Sequence, residues 1–321
     1  VVASRAGTPA SGLSQIGGDI TATYNNVDLV APVERYTTFA RAQYEFSDSL
    51  NGFIEGSYGH VDGGTFQSAY FSSSIPIYAD NPYIPQAIRN VAGFPSPTQP
   101  TAPASLTRPA AATFSLAKVF DDLARGFSRS KADTYRVTAG LDGQFGNGMS
   151  WDAYYQYGRT DRLQTVDNNL VVGDPTKTLT NPALIAQSNA RFFFAADAVI
   201  DPATGRPTCR ALLSTDPALR AAAAGCVPIN LFGTGNVTQQ GKDYIYAQLR
   251  EDITLEQHVL AANLRGETGD LLAGPLAFAI GGEWRRDSIL VTHDPLSNVY
   301  AYFQNFGSDY DGKTRVAEAY I

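Results

Sequence analysis

The stretch Arg35-Tyr36-Thr37-Thr38-Phe39-Ala40-Arg41-Ala42-Gln43-Tyr44-Glu45-Phe46 changes character at every step. Tyr36, Thr38, Ala40, Ala42, Tyr44 and Phe46 share one side of an extended chain; Arg35, Thr37, Phe39, Arg41, Gln43 and Glu45 share the other. Side chains of a strand alternate between faces, so the stretch predicts a strand with one uncharged face and one face that, Phe39 apart, is polar. The polar face carries both signs of charge. The length is about what a tilted strand needs to cross a bilayer. One such strand would suit a soluble sandwich equally well, so the decision rests on recurrence and on the connections between copies.

The pattern recurs. After a turn at Ser47-Asp48-Ser49, with Asn51-Gly52 as an alternative tip, a return strand over 50–61 sets Ile54, Gly56 and Tyr58 against Glu55, Ser57 and Gly59. Further on, Tyr135, Val137, Ala139, Leu141, Gly143 and Phe145 alternate with Thr134, Arg136, Thr138, Gly140, Asp142 and Gln144. Gly146-Asn147-Gly148 supplies a turn able to take positive φ. Trp151, Ala153, Tyr155 and Tyr157 then oppose Asp152, Tyr154, Gln156 and Gly158. A third hairpin runs over 254–267, turns at Thr268-Gly269-Asp270 and returns over 275–291, with Leu276, Phe278, Ile280 and Trp284 against Glu283, Arg285 and Asp287. A last strand starts near Val316.

Residues 62–132, 161–252 and 292–315 hold no such alternation. They suggest only a helical turn over 85–90, a short strand over 113–120, and a helix with Asp216 as N-cap, Pro217 as first residue and Gly225 as its stop. Residues 1–33 read as loop with a partial strand over 19–24. Connections therefore alternate between short and very long. With uncharged outward faces and aromatic strand ends, this predicts an all-β fold: a section of an antiparallel transmembrane β-barrel with short periplasmic turns and long extracellular loops. About seven main strands over 34–321 would form a curved open sheet with two unpaired edges.

Composition agrees with that reading. A net charge of −7 argues against nucleic-acid binding. No run of about 18 apolar residues exists, which excludes a transmembrane helix. A mean hydropathy near zero suits a barrel, because only alternate residues meet lipid. The chain opens on Val1, holds one methionine, Met149, and shows no signal peptide, so it reads as a mature product or a fragment. Cys209 and Cys226 would be free thiols in a reducing compartment; in an exported protein they would pair, closing a loop worth about 3 kcal/mol.

Catalytic chemistry is not apparent. There is no phosphate loop and no G-x-S-x-G elbow, and His60, His258 and His293 are isolated, each read as solvated or interfacial. Catalytic residues, metal ligands and cofactors are therefore expected to be none. The glycines at 233–235 and 281–282 read as turn or close-packing positions. Asp121, Asp122, Asp161, Asp309 and Asp311 could offer oxygens to calcium, but solvated loop charges are the favoured reading. Arg41, Glu55, Arg136, Asp152, Glu283 and Arg285 are the candidate lumen-lining residues. They could steer a charged solute, form cross-strand ion pairs or contact a domain filling the pore; wall or pore-domain contact is favoured.

Several segments carry a family resemblance: Glu34-Arg35-Tyr36-Thr37-Thr38-Phe39-Ala40-Arg41, Phe114-Ser115-Leu116-Ala117-Lys118-Val119-Phe120, Tyr135-Arg136-Val137-Thr138-Ala139-Gly140-Leu141 and Trp151-Asp152-Ala153-Tyr154-Tyr155-Gln156-Tyr157-Gly158-Arg159-Thr160. Asp197-Ala198-Val199-Ile200-Asp201-Pro202-Ala203-Thr204-Gly205 follows, then Cys209-Arg210, Gly225-Cys226-Val227-Pro228-Ile229-Asn230-Leu231-Phe232-Gly233 and Gly281-Gly282-Glu283-Trp284-Arg285. In this order the chain resembles TonB-dependent outer-membrane receptors, especially the large branch common in sphingomonad-like bacteria. The resemblance implies a 22-stranded barrel in the bacterial outer membrane, an N-terminal plug and a segment contacting TonB. Its partners would be membrane lipid and the TonB complex. Its activity would be proton-gradient-driven uptake of a large scarce solute, a ferric siderophore or other metal chelate by default. No plug, TonB box or closing strand is visible, so the chain reads as a middle piece of the barrel, not competent alone. No ligand-binding residue carries over, because those loops diverge with substrate. The alternatives are a passive porin or adhesin-like barrel, and a secreted soluble β-rich glycan-binding protein or hydrolase.

Overall fold

A computed structural model describes residues 8–11, 14–16, 28–94, 113–146, 148–173, 190–271 and 274–321. Its strands and helices, in chain order, begin with β1 (Thr8–Ser11) and β2 (Ser14–Ile16), a small separate ribbon. Next come β3 (Val33–Ser47), β4 (Leu50–Phe66), β5 (Tyr70–Tyr78), α1 (Gln86–Ala92), β6 (Thr113–Phe120), β7 (Phe127–Phe145) and β8 (Met149–Leu170). Then follow α2 (Arg191–Ala196), β9 (Ala198–Ile200), β10 (Pro207–Cys209), α3 (Pro217–Ala222), α4 (Gln239–Ile245), β11 (Tyr246–Leu271), β12 (Gly274–His293), α5 (Pro295–Asn298) and β13 (Tyr310–Tyr320).

Seven of these strands form one sheet in the order β13-β12-β11-β8-β7-β4-β3, every pair antiparallel. Among the described residues β3 and β13 each pair on one side only, so the sheet is open. Its three short connections lie at one end and its three long excursions at the other. Ser47 pairs with Leu50 across a two-residue turn at Asp48-Ser49, as the sequence leads one to expect. The third hairpin differs. Thr268-Gly269-Asp270 is a register shift inside β11, with Gly269 at φ +42°, and Leu271 still pairs with Gly274. A glycine able to take positive φ satisfies a bulge as readily as a turn. The connection itself, 272–273, lies outside the described residues, as do Asn147 and the strand expected over 19–24.

The sheet strands also run further than alternation suggests. β8 has 22 residues and β11 has 26, so the excursions shrink from 62–132, 161–252 and 292–315 to 67–126, 171–245 and 294–309. Beyond about Tyr157 both faces of these strands mix polar residues with scattered apolar ones such as Leu163, Val166, Ile253 and Leu255, which erases the period-2 signal while the backbone ladder continues.

Nor are the excursions structureless. β5 pairs with β6, β9 with β10, and the short helices α1 to α5 lie among the described residues of the excursions. Tyr70, Ile75, Ile77 and Phe120 of the first excursion share one core with Phe192, Phe194, Leu219, Ile229 and Ile245 of the second and its flank. Burying each such side chain is worth about 1.5–3 kcal/mol, enough for two irregular segments to fold against each other. α3 forms as its cap dictates: the Asp216 carboxylate accepts from the Ala218 N–H, and Pro217 opens the helix. Gly225, at φ +73°, follows shortly after the helix ends. The third excursion packs Ala301 and Tyr302 onto Val166, Val171 and Leu249.

Candidate functional site

The register assigns every sheet residue to one of two faces. Tyr36, Thr38, Ala40, Ala42, Tyr44 and Phe46 of β3 align with Tyr58, Gly56, Ile54 and Gly52 of β4, and these with Tyr135, Val137, Ala139 and Leu141 of β7. The row continues through Ala153, Tyr155 and Tyr157 of β8, Leu260, Ala262 and Leu264 of β11, and Ile280, Gly282 and Trp284 of β12. Nothing among the described residues covers this face: Val137 is 48 % exposed, Leu260 53 % and Ile280 43 %. A stripe of small residues, Ala42, Gly52, Ala139 and Ala153, floors a shallow apolar trough of about 730 Å³ between Tyr44 and Leu260.

The continuous apolar face gives way to a mixed, mostly polar one on the loop side. On six strands in turn the ring that closes the continuous apolar row is Tyr36, Tyr58, Tyr135, Tyr157, His258 and Trp284, and beyond it only scattered apolar residues share the face, Phe66, Phe127, Leu163 and Leu290. Two positions further, on the same face, stand Glu34, His60, Asp133, Arg159, Glu256 and Arg286. Neighbouring rings of this edge touch: Tyr36 and Tyr58 centroids lie 6.3 Å apart, Tyr58 and Tyr135 5.1 Å, Tyr157 and His258 5.0 Å. Above it the face is largely ionic, with Phe66 packed on Phe127 at 4.9 Å and Leu290 exposed among the charges. Arg129 forks onto Asp62 at 2.9 and 2.6 Å, and Arg159 reaches Asp161 at 2.8 Å and Glu256 at 3.3 Å. At the turn side, Tyr44 with Phe46 (5.0 Å) and Phe145 with Trp151 (6.4 Å) form a second aromatic row.

The upper edge slants across the sheet. Followed through the pairings onto β7, Tyr36 falls level with Asp133 and Trp284 level with Ala139, a drift of six positions over five strand intervals. Six residues rise about 20 Å and five spacings cover about 24 Å, so a boundary that is level in space requires strands tilted by about 40°. On β7 the ten steps from Tyr135 to Phe145 span about 34 Å along the strand, or about 26 Å in height at that tilt.

The opposite face is polar. All six candidate lumen residues lie on it, but they do not converge. Arg41 meets Glu55 at 3.4 Å and stacks on the Phe53 ring, its guanidinium carbon 4.7 Å from the ring centroid. Asp152 accepts from Asn263 at 2.7 Å, and Arg285 contacts Glu283 at 3.6 Å and Asp287 at 3.3 Å. Arg136 has no protein partner among the described residues. Between them runs an amide ladder that alternation alone did not reveal: Gln156 donates to Gln257 at 3.1 Å and Gln257 to Asp287 at 2.9 Å. Such rows of paired polar side chains stiffen a wet wall.

Over the long-loop end sits the joint core of the two larger excursions. Cys209 and Cys226 are disulfide-bonded within it. Arg210, 3 % exposed, holds Asp197 at 3.0 Å and Asp80 at 2.6 Å, tying the two excursions together. Burial alone would depress the Arg210 guanidinium; the two carboxylates outweigh it and hold its pKa above the ordinary arginine value. Arg89, also buried, donates to the carbonyls of Ile84, Ala79 and Asn81. Neither arginine announces itself in the sequence, because each is paired by residues distant along the chain or by backbone.

His60 stacks on Tyr36 at 4.7 Å, just beyond the aromatic row, and His258 lies within it, 5.0 Å from Tyr157. His293, by contrast, is not solvated. Its side chain is fully enclosed, its ring 2.8 Å from Glu251 and 3.4 Å from Asp309, because the third excursion folds back over the end of β12. Three of the five acidic residues weighed for calcium are separately engaged: Asp122 accepts from the Gly235 N–H, Asp161 pairs with Arg159, and Asp309 accepts from the His293 N–H. No group of three or more potential metal ligands occurs among the described residues. No described helix is long and apolar enough to cross a membrane. No family model, curated protein or solved structure matches the chain.

Proposed function

We propose that this sheet is a section of the wall of an outer-membrane β-barrel, with hydrocarbon against the Val137–Leu260–Ile280 face and water against the Arg41–Asp152–Arg285 face. The slanted aromatic edge carries the reading. A soluble sandwich has no reason to set a row of rings at one level across six tilted strands, with a titratable residue two positions beyond each. The tilt of about 40° and the band height of about 26 Å lie within the ranges for transmembrane barrels. The interior wall, rich in cross-strand hydrogen bonds, suits an aqueous lumen.

Within that class we favour the wall of a TonB-dependent receptor for active uptake of a large scarce solute, on the segments quoted above and on the folded cap at the loop end. This cap, clipped by Cys209–Cys226, would form part of the mouth where solute is captured. A decisive test is accumulation of radioactive iron, offered as a ferric siderophore, by cells carrying the full-length protein. Uptake abolished by a protonophore supports the receptor; uptake indifferent to it supports a passive pore. Extraction of the folded full-length protein into buffer without detergent would overturn the membrane assignment altogether.

A further inference from the structure

We propose that Arg286, Lys313 and Arg315 form a binding site for the phosphate of an anionic lipid headgroup, on the outward face just beyond the apolar edge at β12–β13. The inference rests on the membrane reading above. Arg286 and Arg315 are direct cross-strand partners, and Lys313 lies two residues along β13 on the same face, opposite Ser288. Directly opposed side chains stand about 5 Å apart at Cβ and diagonal ones about 7–8 Å, so three long cationic side chains can close on one phosphate.

This cluster departs from the rest of the outward rim. Arg129, Lys131, Arg159 and Arg250 each form an ion pair, with Asp62, Asp62, Asp161 and Asp252 respectively. Arg286, Lys313 and Arg315 form none among the described residues. Glu256, the nearest carboxylate on β11, is already taken by the Tyr157 hydroxyl and Arg159. Asp311 shares the face with Lys313 but does not pair with it. Like charges directly opposed across a sheet repel. The Arg286 Nε–H is moreover buried without an acceptor, a desolvated donor that an oxyanion would satisfy.

The surface just below the cluster favours a lipid over free phosphate. Trp284 pairs with Ala317 directly beneath Arg286 and Arg315, and Leu260 and Ala319 extend an apolar surface toward the turns. An acyl chain can lie on this surface while its phosphate accepts from the two guanidinium forks and the ammonium, the geometry arginine matches best.

The test uses the full-length protein in nanodiscs of phosphatidylcholine doped with a minor fraction of phosphatidic acid, extracted gently and analysed for retained lipid by native mass spectrometry. Wild type should retain phosphatidic acid about tenfold above its share, the worth of one net charge-assisted contact. The triple variant R286Q/K313Q/R315Q should fall to within about twofold of its share, while Lys131→Gln, an acid-paired cation on the same rim, should not change. Inorganic phosphate should fail to displace the lipid. Retention unchanged in the triple variant, or displacement by inorganic phosphate, overturns the proposal. Insertion is scored separately by flotation with vesicles: protein that does not float refutes the membrane reading as well, whereas floating protein with flat lipid retention refutes only this site.

Discussion

Replacing single outward residues of β7 by arginine should cost an amount that depends on depth alone. Tyr135, Val137, Ala139, Leu141 and Phe145 project from one face between the two aromatic rows. At the tilt derived above, Ala139 lies about 10 Å below the loop-side edge and so near the middle of a band about 26 Å high. Arginine costs about 2–4 kcal/mol at the midplane of a barrel's lipid face and about 0–1 kcal/mol near either interface. Ala139→Arg should therefore shift the folding equilibrium by two to three powers of ten in bilayers, on the order of 3–4 kcal/mol. Tyr135→Arg and Phe145→Arg should cost only their lost aromatic contacts. The measurement is reversible denaturant unfolding of the full-length protein in phosphatidylcholine vesicles, one variant at a time. In water the same exposed positions would accept arginine within about 0.5 kcal/mol. A flat profile along β7, rather than a peak at Ala139, would refute both the tilt and the lipid-facing assignment.

Further expectations concern the loops and the inner wall. Cys209→Ser with Cys226→Ser should cost the loop core about 3 kcal/mol while leaving the sheet intact, seen as faster proteolysis within 171–245 at unchanged far-ultraviolet dichroism. Gly140→Ala should destabilise by about 1–3 kcal/mol, because its Cβ would stand 2.6 Å from the Phe53 ring and 2.8 Å from the Ala153 carbonyl. Gly56→Ala, whose nearest neighbour would be 3.9 Å away, should be tolerated in the same unfolding assay. The third excursion should loosen in acid. The His293 N–H holds the Asp309 carboxyl below the usual range. At Asp294, burial pushes upward but is outweighed by hydrogen bonds from the Arg250, Ser297 and Leu296 groups, leaving its pKa lowered. Depressed carboxylates stabilise fully above about pH 4 and lose that contribution as pH falls through their folded values. Hydrogen-exchange protection at Ser297 and Tyr302, corrected for intrinsic rates, should drop below about pH 4; constant protection would show that the clamp is not electrostatic.

The alternation around Tyr36, Tyr135 and Trp151 was enough to place six candidate wall residues on one face, because face assignment in a strand depends only on odd or even position. It was not enough to say which of them meet. Arg41 finds Glu55 because the register of β3 on β4 sets them opposite, whereas Arg136 faces Ser57 and Gly158 and gains no partner. The turn expected at Gly269 became a bulge for a similar reason. Positive φ is a local property, while the position of a hairpin is decided by the ladder that continues to Leu271.

Short-range chemistry therefore determined the alternating parts of the seven sheet strands, the turn at Asp48-Ser49, the α3 cap and the apolar-versus-polar division of the sheet, each written within a few residues of itself. Tertiary structure alone decided that the two larger excursions share a core, that Arg210 bridges Asp80 and Asp197, and that His293 is enclosed. These contacts join residues far apart in the chain whose side chains carry no period, so their free energy exists only once the sheet has brought the loop ends together.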